Sequence, residues 1–381
     1  MNLLDSELKE SGVNSLRILH LVDGSRSELA SSRLEHVQDL ISDRPDDVLI
    51  SVGSSPDGIH GSLPDSPRFP WSRSGPLKSL LRKRHWGEAG FDVVHAWGIR
   101  SAAMAAGLES RQPVTITIDG FDASDSRASC AASMMLSGRA ASAFGSSRSL
   151  ERASALLGGA RRGSGGEEII EPILNPDRFH VRDEAMRQSW GAYSDTLVMG
   201  IIGSPIEQLN LFEHCSMGPR CSMFHDHIVL VASSRGARRG DLIRWLDGAG
   251  LGVELVFDDR IESIERVAGS LDVAVVTSSI ALRNRVCDVT PAIAAASAGV
   301  PVVLGVDHPA GEYSSQHPLL YPCMPHGEHE ASKWLAKRLA EKMPVDAQAW
   351  QDRWAGYIQD LAILHQRAIS LSGDRSFTAA S

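Results

Sequence analysis

Aromatic residues make up only 6% of the chain, and cysteine occurs five times in 381 residues. An odd set of thiols (Cys130, Cys215, Cys221, Cys287 and Cys323) in a chain opening on the polar stretch MNLLDSELKE argues against a disulfide-built scaffold and fits reduced cysteines. No apolar run approaches membrane-spanning length, and no basic-then-apolar leader is seen. The chain is therefore expected in the cytoplasm, without an integral membrane segment and with only peripheral membrane contact open to it. A surplus of positive charge is also missing. The 38 Lys+Arg against 47 Asp+Glu give a net charge of −9 and a pI near 5.9, which argues against a nucleic-acid binder.

Standard metal-ligand spacing is lacking as well. The stretch HCSMGPRCSMFHDH gathers His214, Cys215, Cys221, His225 and His227, but their intervals match no regular zinc pattern. They read as incidental thiols and loop histidines, so neither a metal nor another cofactor is expected.

What the sequence does have is alternation. Runs such as LRILHLV, DVLISVG, FDVVHAW and VTITIDG are short, apolar and β-rich, and helical patterns separate them. An Ala/Ser-rich stretch from 127 to 157 reads as helical. The glycine-rich GGARRGSGGEE then breaks the pattern, and IIEPILNPDRF reads as a short strand and turn. A second alternation follows with TLVMGIIG, HIVLVAS, VELVFD, DVAVVTS and VPVVLGV, and IESIERVAGSL reads as one helix among them. This length exceeds what one hydrophobic core usually supports. The expected fold is α/β: two doubly wound Rossmann-like domains facing across a cleft. The first covers 1–183 and the second 184–345. From 346 to 381 an amphipathic helix carries Trp350, Trp354 and Tyr357 as packing anchors, then gives way to a loose tail, SLSGDRSFTAAS.

The order of these pieces resembles a GT-B glycosyltransferase of the family 4 type. FDVVHAWGIRSAAMAA is similar to that family's "DVVHAHG" strand and following helix, and VTITIDGFD to its "VVTLHGFD". IIEPILNPDRF resembles "VIPNGVDLERF", GSLDVAVVTSS resembles "AAADVFVLPS", and ASAGVPVVLG resembles "MAAGLPVVAT". The likeness covers most of the chain in the correct order. It implies an acceptor-binding first domain, a nucleotide-sugar-binding second domain and a last helix that crosses back to the first. The partners implied are a nucleotide-sugar and a glycan or lipid acceptor. No divalent metal is implied, because fixed cations serve in its place.

Transfer from a nucleotide-sugar needs charge compensation for the departing diphosphate, hydrogen bonds that orient the sugar, and an activated acceptor hydroxyl. In the family, an Arg and a Lys follow the first strand of the second domain. Here Gly203 is followed by Ser204, and no Lys comes after it. Arg235, Arg238 and Arg239, beyond the next strand, read as solvated loop cations. The family's two donor glutamates align with Val286 and Ala294. Thr290 before Pro291 reads as a capping hydroxyl at a helix start. Asp288 sets a negative charge where a phosphate would approach, and Arg283 and Arg285 are the cations that oppose it.

In the first domain the family's Gly-Gly turn is reduced to Gly24 and Ser25 after Asp23. Asp119 replaces the histidine of the "HGFD" segment and is the candidate general base, although aspartate at a strand end is more often a cap or turn former. His95 and Trp97, at the carboxyl end of VVHAW, are candidates for an acceptor pocket, against the commoner outcome of a packed Trp beside a satisfied His. Two functional readings stand: a glycosyltransferase with an unusual donor site, or a degenerate GT-B protein that binds a glycan or a partner enzyme without turnover. An epimerase-like enzyme on the same architecture needs the same missing groups.

Overall fold

The computed structural model describes residues 16–23, 28–42, 44, 46–52, 90–107, 112–118, 120–122, 140–156, 166–179, 182–203, 225–235, 240, 243–244, 246, 253–276, 285–324, 327–341 and 346–378. The chain divides into two compact units, Met1–Glu171 with Gly356–Ser381, and Pro172–Ala355. The first division therefore falls at Glu171/Pro172 instead of 183, and the chain rejoins the first unit at Gly356.

The first unit is built on a parallel sheet of β1 (Ile18–Asp23), β2 (Val48–Val52), β3 (Val93–Trp97), β4 (Val114–Ile118), β5 (Ala140–Phe144) and β6 (Glu167–Ile169), in the order β2-β1-β3-β4-β5-β6. Helices α1 (Glu28–Ile41), α2 (Gly98–Gly107) and α3 (Ser147–Leu156) connect them. The central strands are buried along nearly their whole length, as a sheet covered on both faces requires. This is why β5 escapes the sequence reading. AASAF lies within the stretch read as helical, and a short run of small residues buried on both faces has no alternation to mark it as a strand.

In the second unit, α4 (Glu184–Ser189) precedes a second parallel sheet. Its strands are β7 (Leu197–Ile202), β8 (Ile228–Ala232), β9 (Val253–Phe257), β10 (Val273–Val276), β11 (Val302–Leu304) and β12 (Leu320–Pro322), ordered β9-β8-β7-β10-β11-β12. Leu197, Met199 and Ile201 of β7 share a core with Leu230, Val275 and Val303, and with Leu335 of α7 (Glu328–Glu341). Gly200 lies at the centre of β7, where an added Cβ would stand 2.6 Å from Leu271 Cδ1 and 2.9 Å from Ile261 Cδ1. A hydrogen there lets the segment after β9 pack onto the sheet.

That segment is not the single helix that IESIERVAGSL suggests. It forms a 3-10 turn over Asp259–Glu262, the short helix α5 (Ile264–Val267) and a second 3-10 turn over Ala268–Ser270. Ser263 is extended at φ −112, ψ 92, which interrupts helical progression before it is established. Below β7 and β10, the buried Arg187 of α4 donates through Nη1 to Ser270 O and Asp272 Oδ2, both at 2.9 Å, and through Nη2 to Thr196 O at 2.8 Å. Asp272 also accepts from Val198 N at 2.8 Å, so one ion pair ties a helix to two strand starts.

Helix α6 (Thr290–Ser297) lies between β10 and β11, and α8 (Ala347–Thr378) ends the described chain. Trp350 packs on Phe179 with ring centroids 4.3 Å apart in the second unit, Tyr357 is buried in the first, and Trp354 is half-buried. In the first unit, Arg367 of α8 pairs with Glu168 of β6. The helix runs on to Thr378 through most of the segment expected as a loose tail. A single interior glycine such as Gly373 costs about 1 kcal/mol relative to alanine, too little to end a helix already propagating.

Candidate functional site

Doubly wound sheets bind ligands outside the carboxyl ends of their strands, at the point where strand order reverses. In the second unit this point lies between β7 and β10. β7 ends at Ile202, and Gly203 follows at φ 104, a conformation closed to most side chains. Ser204 lies outside the described residues.

The next strand, β8, leads into Ser233, Ser234 and Arg235. Arg235 is not simply a solvated loop cation: its Nε lies 3.3 Å from Asp259 Oδ2 and its Nη1 3.5 Å from Glu262 Oε2. Ser233 Oγ donates to the buried Glu262 Oε1 at 2.5 Å, and Ser234 N donates to Asp259 Oδ1 at 2.8 Å. Burial is the largest influence on the Asp259 carboxyl and raises its pKa, but hydrogen bonds from Ser234 and Ser233 and the charge of Arg235 together hold it below the usual range. Arg235 is thus already engaged by two carboxylates. Arg238, Arg239 and Arg283 lie outside the described residues.

Helix α6 begins at Thr290 with Pro291 in its first turn. Its cap differs from the one the sequence suggests. Thr290 supplies the backbone N–H, which donates at 2.9 Å to Asp288 Oδ1, the carboxylate closing a local turn from two residues upstream. Pro291 has no N–H, so at this end one donor is engaged and another is absent. Asp288 is buried at 8% exposure. Val286 and Ala294, which align with the family's donor glutamates, are buried at 2% each, and the residues of the helix from Pro291 to Ala296 are apolar and buried. Arg285 is half-buried just before Val286.

After β11, Asp307 adopts a left-handed φ of 58, the only non-glycine residue to do so among those described. Such a conformation costs roughly 1–2 kcal/mol, least for aspartate and asparagine. His308 then caps the following 3-10 turn, Ala310 N donating to its Nδ1 at 3.2 Å. The sequence reading singled out neither residue, although the DHPAG run has the composition of a constrained turn. Near the strand ends, Asp258 is paired with Arg260, and Asp259 and Glu262 with Arg235.

In the first unit the reversal lies between β1 and β3. His20 and His95 occupy neighbouring register positions on these strands. Trp97 stacks on His95 with centroids 4.1 Å apart, and its Nε1–H donates to His20 Nδ1 at 3.1 Å. Because indole nitrogen only donates, His20 Nδ1 carries the lone pair and its Nε2–H faces Asp47 Oδ2 at 3.4 Å. Asp47 also accepts from Arg44 Nε at 2.6 Å and Ile18 N at 2.9 Å. Burial would raise the Asp47 pKa, but the hydrogen bond and charge of His20, with Arg44 and the Ile18 N–H, bring it below the ordinary value. His95 and Trp97, at 0% and 2% exposure, are enclosed in the core and present no open face. Gly24, Ser25 and Asp119 lie outside the described residues.

Two further histidines join this group. His365 Nε2 of α8 lies 2.9 Å from His95 Nδ1, and His36 Nε2 of α1 lies 3.3 Å from the Tyr357 hydroxyl. The legible signal was His20 and His95 in equivalent places in two apolar strand runs; nothing in sequence joins them to His36 or His365. Among the described residues no group of three or more His, Cys, Asp or Glu side chains is placed to hold a metal ion. His214, Cys215 and Cys221 lie outside those residues, His225 is half-buried and His227 is exposed. No described helix is long and apolar enough to cross a membrane.

No protein-family model and no curated protein matches the chain. Solved structures do match. A glycosyltransferase from Rickettsia africae shares 14% identity at a TM-score of 0.56, covering 96% of this chain and 97% of its own. AviGT4, a glycosyltransferase involved in avilamycin A biosynthesis, shares 16% at a TM-score of 0.56, over 93% and 98%. Anabaena HepE in complex with UDP-glucose shares 12% at 0.55, over 96% and 99%. Identities this low establish the fold and nothing finer. The chain shares the GT-B fold of these structures along nearly its whole length.

Proposed function

We propose that this protein is a glycosyltransferase that moves a sugar from a nucleotide-sugar to a glycan or lipid acceptor. The observation that carries the reading is the coverage: the fold of solved glycosyltransferases extends over both units, and HepE, of the same fold, is seen in complex with UDP-glucose. In this reading the second unit receives the donor at the end of β7, beside Gly203. The diphosphate is met by arginines, Arg283 and Arg285 before α6 and Arg238 and Arg239 after β8, in place of the family's Arg/Lys pair. The acceptor belongs to the first unit, with Asp119 as general base. His95 and Trp97 then support the acceptor side from beneath.

One specific observation favours a second reading, a GT-B protein that binds a glycan or a partner protein without turnover. Asp288 occupies the first N–H of α6, and apolar, buried Val286 and Ala294 fill the places of the donor glutamates. Both groups of loss lie on the donor side. The test is release of nucleoside diphosphate from UDP-, GDP- and ADP-sugars, followed by mass spectrometry with oligosaccharide and polyprenyl-lipid acceptors. Acceptor-dependent release from one donor, lost in Asp119→Asn, supports transfer; no release from any donor leaves the binding protein.

A further inference from the structure

Four histidines from four separate elements converge in the first unit: His20 of β1, His36 of α1, His95 of β3 and His365 of α8. The rings of His20 and His95 lie 5.6 Å apart and those of His95 and His365 4.9 Å apart, while His36 packs edge-on against Trp97 at 5.7 Å. His20, His95 and His365 are each at most 4% exposed. Among the described residues, the charged groups facing the cluster are Asp47 and Arg44, which bind each other at 2.6 Å. Tyr357 and Thr117 complete it with hydroxyls, Thr117 Oγ1 lying 2.8 Å from His95 Nε2.

This arrangement has places for neutral imidazoles and none for imidazolium. His20 cannot take a proton on Nδ1 without losing the Trp97 N–H. His365 reaches His95 through Nε2, and its buried Nδ1 has no hydrogen-bond partner. A charged His365 would carry an N–H on each nitrogen and leave one unpaired in the core. A charged His95 would donate to Thr117 Oγ1 and to His365 Nε2 at once, which forces the proton of a neutral His365 onto its unpartnered Nδ1. Among the described residues, the nearby carboxylate is Asp47, already engaged by Arg44, Ile18 N and His20.

We propose that this cluster is an acid-released latch, in which proton uptake by His95 and His365 frees the part of α8 from Gly356 onward from the sheet of the first unit. Burial, joined by the charges of His20 and Arg44, pushes His365 down from the ordinary 6.5 to about 3. His95 is pushed well below its ordinary value by burial, then by His365, His20 and His36. The direction of the effect follows. The docked state binds fewer protons than the released state, so docking is fully favoured above about pH 6.5 and weakens as pH falls below it. Each histidine that gains its ordinary pKa on release shifts the docking equilibrium by up to about tenfold per pH unit. For His95 and His365 together this is up to about a hundredfold. The inference stands apart from the glycosyl-transfer reading.

The test is hydrogen exchange by mass spectrometry on the full chain at pH 7.5 and 5.0, with exposure times scaled for intrinsic exchange. The expected result is a loss of protection over residues 357–371 at pH 5.0, while β3 and β4 stay protected. His365→Phe, which keeps a ring and removes the proton site, should flatten that pH dependence by about tenfold per pH unit. Protection of α8 that does not change with pH, or that is lost together with β3 and β4, overturns the latch. Should the variant not fold, imidazole resonances of the wild-type chain decide: neutral His95 and His365 down to about pH 5.5 while α8 is docked support it, and titration near 6.5 in the docked state refutes it.

Discussion

The backbone N–H of Thr290 donates to the carboxylate of Asp288 at 2.9 Å, so the helix end that would face a donor phosphate already holds a negative charge. Asp288→Asn keeps an oxygen for the cap and removes the charge. It should leave the melting temperature nearly unchanged and tighten UDP or GDP binding several-fold, measured by calorimetric titration. Asp288→Ala removes the cap too and should cost about 1 kcal/mol of stability.

Arg235 binds Asp259 and the buried Glu262, so its removal leaves two carboxylates without their cation. Arg235→Ala should destabilise the chain by about 1–2 kcal/mol in urea unfolding. This is below the 3–5 kcal/mol of a fully buried pair because Arg235 is 36% exposed. If Arg235 instead served a donor diphosphate, the same variant would keep its stability and lose nucleotide affinity.

The packing of Leu271 and Ile261 over Gly200 predicts a cost for any side chain at that position. Gly200→Ala should lose about 1–3 kcal/mol, toward the lower end because the nearest atoms are leucine and isoleucine tips that can shift. Differential scanning calorimetry reads this as a lower melting temperature without a change of fold by circular dichroism.

The two-sheet architecture was legible because buried parallel strands leave continuous apolar runs, and LVMGII and IVLVA appear where the sequence suggests them. AASAF was not, since alanine is the strongest helix former and extends the helical pattern around it. Nor was β12 at Leu320–Pro322, three residues long and ending in proline. The absence of carboxylates at Val286 and Ala294 was visible from the resemblance, once ASAGVP is aligned with the family's motif. The roles of Asp288 and Arg235 were not, because a cap and an ion pair depend on where a side chain lands two or twenty-odd residues away. The histidine cluster was hidden for the same reason: His95 and His365 are joined only by tertiary packing, at a separation of 270 residues.

Thermal unfolding with millimolar UDP, GDP, ADP and their sugar conjugates reads donor recognition without the need for an acceptor. A ligand at a hundred times its Kd stabilises the native state by about 2.7 kcal/mol, on the order of several degrees for a unit of this size. Such a shift is expected with one nucleotide and its sugar conjugate, abolished when Arg283 and Arg285 are both changed to alanine. No shift with any of them would contradict donor-dependent transfer and leave a GT-B protein that binds without turnover.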